Sequence, residues 1–241
     1  MDVPFSTGQF LDTFARYNQA VWPAQVLFYV LAAAVAWLAL RPRAGSSRLV
    51  IAALALLWAW MGIVYHWGFF APVNPAAALF GTLFVAQATL LLQAGLFRPR
   101  LPFRAAAGLE GTAGAVLIAY ALVGYPLLGY LLGQRYPHVP TFGLPCPTTI
   151  FTFGVLLWAD ARVPVRLLVI PAAWSLLGAS AAYQHGIVQD YGLLAAGAVA
   201  TTLILRRNAR PHRASAAALP APRRRPPVSW KTSPRRKGAV R

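Results

Sequence analysis

The chain has 241 residues, of which 58% are hydrophobic and only 11% are charged. A soluble domain carries about 25% charged residues, so this composition is typical of a membrane protein and excludes an ordinary soluble domain. The single cysteine excludes an intramolecular disulfide and a cysteine-based zinc cluster. The net charge of +17 is concentrated at one end of the chain, because twelve of the 22 lysines and arginines follow Leu205.

Residues 7–20 are predicted to form a short amphipathic helix within an outer-surface segment, 1–20. Four apolar side chains share one helical face: Phe10, Leu11, Phe14 and Tyr17. Thr7 is the expected N-cap, and the helix is expected to lie on the outer membrane surface, an unstructured leader being the alternative. No basic segment precedes the first long apolar run, so we expect that run to remain as an anchor and not to be cleaved as a signal peptide.

Seven apolar runs follow, at about 21–40, 49–70, 76–97, 111–132, 142–159, 163–183 and 188–205. A membrane-spanning helix needs about 20 predominantly apolar residues. The second, third and fourth runs meet this length, whereas the last three are short or interrupted by proline. We predict an all-α, polytopic membrane protein with seven transmembrane helices in a domain covering 21–205.

The positions of the basic residues predict the orientation of these helices. When alternate joints are assigned to the same side, one side carries 20 lysines and arginines and the other carries two, Arg16 and Arg135. Cytoplasmic loops collect lysine and arginine. The N-terminus is therefore predicted to lie outside and the C-terminus inside.

Residues 206–241 are rich in Arg, Pro, Ala and Ser and contain no acidic residue. Such a segment cannot bury a core, so we predict a disordered cytoplasmic tail. The basic strings at 223–225 and 235–237 could bind anionic lipid headgroups, although a solvated tail that fixes topology is the simplest interpretation. A nucleic-acid partner is not expected, because the basic residues are not interleaved with aromatic ones.

The stretch FGLPCPTTIF, residues 142–151, places the only cysteine, Cys146, between two prolines. A helix from Pro147 to Ala159 has 13 residues and is about 20 Å long, which is shorter than a ~30 Å hydrocarbon core. Non-helical backbone at membrane depth is tolerated only where protein covers it or water fills a cavity. We therefore predict an outward-facing pocket with this helix start at its floor; the alternative is a proline-initiated helix below a surface loop.

Further polar residues are predicted near the same outer level, with Gln87 deeper in its helix. The pocket candidates are Tyr65, His66, Asn74, Gln87, Arg135, His138, Cys146, Thr148, Thr149, His185 and Asp190. Imidazole and thiolate bind zinc, copper and iron, so His66, His138 and His185 are weak metal candidates. They lack the short spacing of a metal motif, and no cofactor can be assigned.

The sequence contains no phosphate loop, Ser-His-Asp pattern, paired carboxylates or zincin motif. Cys146 would need a neighbouring base to act as a nucleophile, and the sequence pairs it with none. The centres of the predicted spans also lack Asp, Glu and Lys, which ion-coupled carriers usually place there. These observations favour a protein that is not an enzyme.

Six strings carry a family resemblance: RYNQAVWPAQVLFY, LLWAWMGIVYHWGFF, NPAAALFGTLFVAQ, PTFGLPCPTTIF, VPVRLLVIPAAWSLLGASAA and QDYGLL. Together they resemble a bacterial family of multi-pass membrane proteins known only as a domain of unknown function, over about residues 5–205. The resemblance implies a location in the bacterial inner membrane. It implies no activity, cofactor or catalytic residue, and the basic tail lies outside it.

The sequence therefore favours an inner-membrane protein that binds or passes a small solute through an outward-facing polar pocket. One alternative is a non-catalytic membrane protein that assembles with a protein partner, whose identity the sequence does not indicate. The other is a metal- or haem-linked redox protein. A closed bundle with a broad apolar outer patch would favour the first alternative, and convergence of His66 with His138 or His185 would favour the second.

Overall fold

The computed structural model describes residues 5–97, 101–105 and 107–210, and over these residues the fold is all-helical. The predicted disordered tail lies outside the described residues from residue 211 onward. In chain order the helices are α1 Thr7–Ala20, α2 Ala24–Leu40, α3 Ser46–Phe70, α4 Ala77–Leu92, α5 Leu109–Leu131, α6 Pro145–Leu157, α7 Arg166–His185 and α8 Tyr191–Ala209.

Several of these helices contain π-helical turns. The last ten residues of α3, Met61–Phe70, are π-helical, a π-turn Gln93–Phe97 extends α4, and α5 contains a third one at Tyr120–Gly124. A π-turn rotates the side chains that follow it relative to a regular α-helix, and such turns are frequent at functional sites. In this fold the π-helical part of α3 carries Tyr65 and His66, two of the predicted pocket residues.

Five helices are long and apolar enough to cross a membrane: Ser46–Phe70, Ala77–Gly95, Leu109–Leu131, Arg166–His185 and Val188–Ala209. The pair α1 and α2 gives a sixth if its two members, bent by 84°, form one span. α2 alone has 17 residues and α6 has 13, both below the length of an ordinary span. The helices thus indicate a membrane protein, while length alone supports five or six of the seven predicted crossings.

α6 is the central helix of the bundle. Twelve of its 13 residues are buried, and it packs against α5, α7 and α8. Small residues allow this close approach, because a Cβ atom on Gly154 would lie only 2.9 Å from the carbonyl oxygen of Gly114 on α5. At the C-terminal end of α6, Arg207 of α8 donates a hydrogen bond of 3.1 Å to the carbonyl oxygen of Leu157. The short helix is therefore enclosed by longer ones along its whole length.

The predicted boundaries of α1, α6 and α8 differ from the structure in ways that the contacts explain. Ser6, not Thr7, is the N-cap of α1, because Ser6 and Gln9 form a capping box with 3.3 Å and 2.8 Å hydrogen bonds. α6 begins at Pro145, two residues before the predicted start, since a proline fits the first helical position there as well.

At the other end of the bundle, α8 continues to Ala209, past the predicted end at 205. Asn208 stabilises this extension because its side chain binds the segment before α7. The side-chain amide donates to the carbonyl oxygen of Val163 at 2.7 Å, and the side-chain oxygen accepts from the Val163 backbone N–H at 3.2 Å. The first residues of the predicted tail are therefore helical.

Candidate functional site

A cavity of about 170 Å³ lies at one end of the bundle, between α1, the ends of α3 and α7, and the starts of α6 and α8. Seven of its lining residues are aromatic: Phe5, Phe10, Phe14, Tyr65, Phe70, Phe80 and Trp174. Polar lining comes from Asn74, Cys146, Ser180 and Asp190. An engineered apolar cavity of roughly 150 Å³ binds benzene, so this space suits a small organic molecule.

Residues 5–20, here called the roof, cover the cavity. The roof packs its aromatic face on the end of α3, with the ring of Phe70 5.5 Å from that of Phe5 and 5.8 Å from that of Phe10. Tyr17 is fully buried, and its hydroxyl accepts a hydrogen bond of 2.9 Å from the Trp60 indole. The apolar face of the amphipathic helix therefore contacts the protein.

Asn18 holds the C-terminal end of the roof. Its side-chain amide donates to the carbonyl oxygens of Pro137 at 2.7 Å and Val139 at 2.8 Å. Its side-chain oxygen accepts from the hydroxyl of Thr141 at 2.8 Å. Asn18 has no exposed surface, so these hydrogen bonds form out of water and tie the roof to the loop between α5 and α6.

His185 holds the other end of the roof. Its Nδ1 atom lies 3.0 Å from the hydroxyl of Thr7. Its ring stacks on Phe5 at 5.2 Å between centroids and packs on Phe10 at 4.8 Å. The end of α7 thus contacts the roof through one polar and two aromatic interactions.

Asp190 lies at the floor of the cavity. It ends the 3-10 turn Val188–Asp190 that leads into α8, and it is only 3% exposed. The buried Tyr125 hydroxyl of α5 donates a hydrogen bond to Oδ1 of Asp190, and Cys146 lines the same cavity as this carboxyl group. Among the described residues, neither ion pair involves Asp190. The carboxyl group is therefore buried without a basic partner in this part of the chain.

A model of the family of unknown function DUF6064 matches residues 7–215 of the chain. The chain belongs to DUF6064. No curated protein and no solved structure matches the chain. The resemblance to a family of unknown function is thus confirmed, and the matched DUF6064 region includes the roof helix and the helices that form the cavity walls and floor.

Four of the predicted pocket residues line the cavity of this DUF6064 protein: Tyr65, Asn74, Cys146 and Asp190. His185 lies at its edge through contacts with the roof. Asn74 also accepts a hydrogen bond of 3.0 Å from the backbone of Ala76, which stabilises the start of α4. The structure therefore brings together residues from three separate apolar runs and from the joint before α4.

Three other predicted residues are buried behind the cavity wall. His66 has both ring nitrogens buried without a hydrogen-bond partner, and its ring packs on Trp174 at 5.3 Å and Phe84 at 4.7 Å. Thr148 accepts from the Gly143 backbone at 3.1 Å, and the Thr149 hydroxyl is buried without a partner. These groups support the wall and do not line the cavity.

The remaining candidates lie away from the cavity. The Gln87 amide donates to the carbonyl oxygen of Leu167 at 3.0 Å and joins α4 to α7. Arg135 is exposed and stacks on the Tyr130 ring at 3.9 Å. His138 is exposed and lies 3.5 Å from Asp12.

The three histidines proposed as weak metal candidates have separate surroundings. His66 is enclosed by aromatic rings, His138 faces Asp12, and His185 faces Thr7. In the described ranges, no group of three or more His, Cys, Asp or Glu side chains could hold a metal ion. In these ranges the three histidines therefore do not form one site.

Sequence reasoning missed Tyr125 and Trp174 as parts of the site. Both lie inside apolar runs, where an aromatic residue that faces a cavity has the same pattern as one that faces lipid. The roof aromatics were recognised as one helical face, but periodicity does not indicate whether such a face contacts lipid or protein.

Proposed function

We propose that this protein crosses a bacterial inner membrane seven times, through α2 to α8, with its N-terminus outside, and binds a small solute in the cavity beneath the roof. The exposed apolar side chains on the outside of the bundle, such as Leu27, Val30 and Leu176, then contact lipid. The basic tail faces the cytoplasm and the anionic headgroups there. We place the tail in the cytoplasm because lysine and arginine collect in the cytoplasmic segments of membrane proteins.

The enclosure of α6 supports seven crossings. A helix of 13 residues is about 20 Å long, and polar backbone beyond its ends is tolerated at membrane depth when protein covers it. The segment before α6 meets this condition, since Phe142 and Leu144 are buried. The chain can therefore cross the membrane at α6 even though the helix itself is shorter than the hydrocarbon core.

The position of the cavity supports an outward-facing site. The cavity is built from the C-terminal ends of α3 and α7 and from the N-terminal ends of α6 and α8. The opposite ends of these helices adjoin the arginine-rich joints, which carry Arg48, Arg162 and Arg166. With those arginines in the cytoplasm, the cavity opens to the periplasmic side.

The observation that carries solute binding is the roofed cavity itself. It has the volume of a small organic molecule, an aromatic wall and one buried carboxyl group at the floor. Binding sites for small molecules are typically concave and mostly apolar, with a few placed polar groups. Whether the solute also passes across the membrane is a further step that this cavity does not require.

Cys146 provides a direct test, because it lines the cavity and is the only cysteine in the chain. We expect a small, uncharged methanethiosulfonate to label Cys146 in folded protein. The variant Ala181→Phe places a ring at a lining position and should slow labelling at least ~10-fold. The matched variant Ala173→Phe adds the same ring to an exposed position of α7 and should leave the rate unchanged.

Labelling rates are measured by mass spectrometry on protein in membranes. Failure to label Cys146 before denaturation, with full labelling afterwards, would contradict an accessible cavity. Equal rates in Ala181→Phe and Ala173→Phe would show that the reagent reaches the thiol by another route.

A further inference from the structure

The chemistry of the cavity lining restricts the class of solute. No lysine, arginine or histidine is among the described lining residues, and the one carboxyl group among them belongs to Asp190. Tyr125 donates a hydrogen bond to it, and Cys146 and Tyr65 line the same cavity; none of these groups contributes a positive charge. The lining therefore attracts positive charge and disfavours an anion.

The Tyr125 hydrogen bond indicates that Asp190 serves as an acceptor. A phenol that donates to a carboxylate stabilises the ionised form. A buried carboxylate without a positive partner is costly, and a partner that supplies the countercharge removes much of that cost. Among the described residues no basic side chain pairs with Asp190. A proton can neutralise the carboxyl group when the cavity is empty, and a bound cation can supply the countercharge when it is filled.

The wall favours an organic cation over a hydrated metal ion. Seven aromatic side chains line the cavity, and the faces of aromatic rings attract cations that lie within about 6 Å of their centroids. Quaternary and other alkylated ammonium groups combine this charge with an apolar surface, which suits such a wall. A metal ion would instead need several oxygen or nitrogen ligands, and no such cluster occurs among the described residues.

We infer that the cavity binds a small alkylammonium cation, with Asp190 as its counter-ion and the aromatic wall, including Trp174 and the roof phenylalanines, around its alkyl groups. This inference rests on the proposed solute-binding function and adds the class of solute to it. Cys146 lines the same cavity as Asp190 and Trp174, so a bound cation should cover its thiol.

Choline and its uncharged carbon isostere, 3,3-dimethyl-1-butanol, test the inference. They have nearly the same shape and differ in the positive charge. We expect choline to bind the full-length protein in detergent at least ~10-fold more tightly than the isostere, measured by calorimetry against a sodium chloride control. Choline should also protect Cys146 from the uncharged thiol reagent.

Two variants that each remove one carboxylate test whether Asp190 supplies the negative charge that attracts choline. Asp190→Asn keeps the shape of the side chain and should weaken choline binding at least ~10-fold while leaving binding of the isostere unchanged. Asp12→Asn removes an exposed carboxylate from the outer face of the roof and should change neither. The comparison of choline with its isostere on unmodified protein remains decisive if Asp190→Asn does not fold.

The possible outcomes separate the cation inference from the proposed solute binding. Equal binding of choline and the isostere would overturn the cation inference and leave solute binding intact. Absence of binding by either, together with a Cys146 that reacts only after denaturation, would overturn the proposed function as well. Equal losses in Asp190→Asn and Asp12→Asn would assign the attraction to general surface charge and would also overturn the inference.

Discussion

At the scale of single residues, the roof depends on one buried amide. Asn18 makes three side-chain hydrogen bonds to the loop between α5 and α6, and its own backbone carbonyl accepts from the Gln25 side chain at 2.8 Å. Buried polar groups left without a partner cost about 1–3 kcal/mol each, so loss of this side chain leaves several costly acceptors and a donor behind.

We expect Asn18→Ala to lower the stability of the protein by about 1–3 kcal/mol and to loosen the roof. Cys146 should consequently react faster with the uncharged thiol reagent. The control is Gln19→Ala, which truncates the exposed neighbour and should change neither property. Thermal unfolding in detergent and labelling rates provide the two measurements. A normal labelling rate in a destabilised Asn18→Ala protein would mean that the roof does not limit access to the cavity.

At the scale of helices, close packing of α5 on α6 positions the cavity floor. α6 carries Cys146 in its first turn, and α5 carries Tyr125, which holds Asp190. The two helices approach through Gly114 and Gly154, whose added Cβ atoms would each lie within 2.9 Å of the opposite carbonyl oxygen. Nothing larger than hydrogen fits at this crossing without moving a helix backbone.

Gly154→Ala should therefore destabilise the bundle by about 1–3 kcal/mol, because overpacking forces backbone shifts. Gly68→Ala is the matched control: its Cβ atom would meet nothing closer than 3.9 Å, so its stability should stay near that of the natural protein. The two variants are compared by thermal unfolding. If they are equally stable, α5 and α6 do not approach each other as closely as the structure indicates.

A comparison of the helices with the apolar runs shows what the sequence could and could not predict. Long apolar runs determine where helices form, and they predicted α3, α4, α5 and α7 to within a few residues. The prolines around Cys146 indicated a short helix, and α6 has 13 residues; the outward-facing pocket at its start stays a prediction. The roles of Tyr125 and Trp174 were not predictable, because they depend on which helices become neighbours. Trp37, for example, lies in an apolar run like that of Trp174, yet it is exposed on α2 and does not line the cavity.

At the scale of the whole molecule, the number of membrane crossings depends on α6. A crossing by α6 gives seven spans and places the N- and C-termini on opposite sides, whereas a re-entrant α6 gives six and places them on the same side. The joints on either side of α6 carry exposed arginines, Arg135 before it and Arg162 after it. Each is a suitable position for a single reporter cysteine.

We expect α6 to cross the membrane. In a Cys146→Ser background, Arg135→Cys should react with an impermeant thiol reagent in intact spheroplasts, because its joint is predicted to face outside. Arg162→Cys should react only after the membrane is permeabilised, because its joint is predicted to face the cytoplasm. The Cys146→Ser protein without added cysteine is the control for background labelling. Labelling of both positions from outside would make α6 re-entrant, and labelling of Arg162→Cys alone would reverse the orientation and move the cavity to the cytoplasmic side.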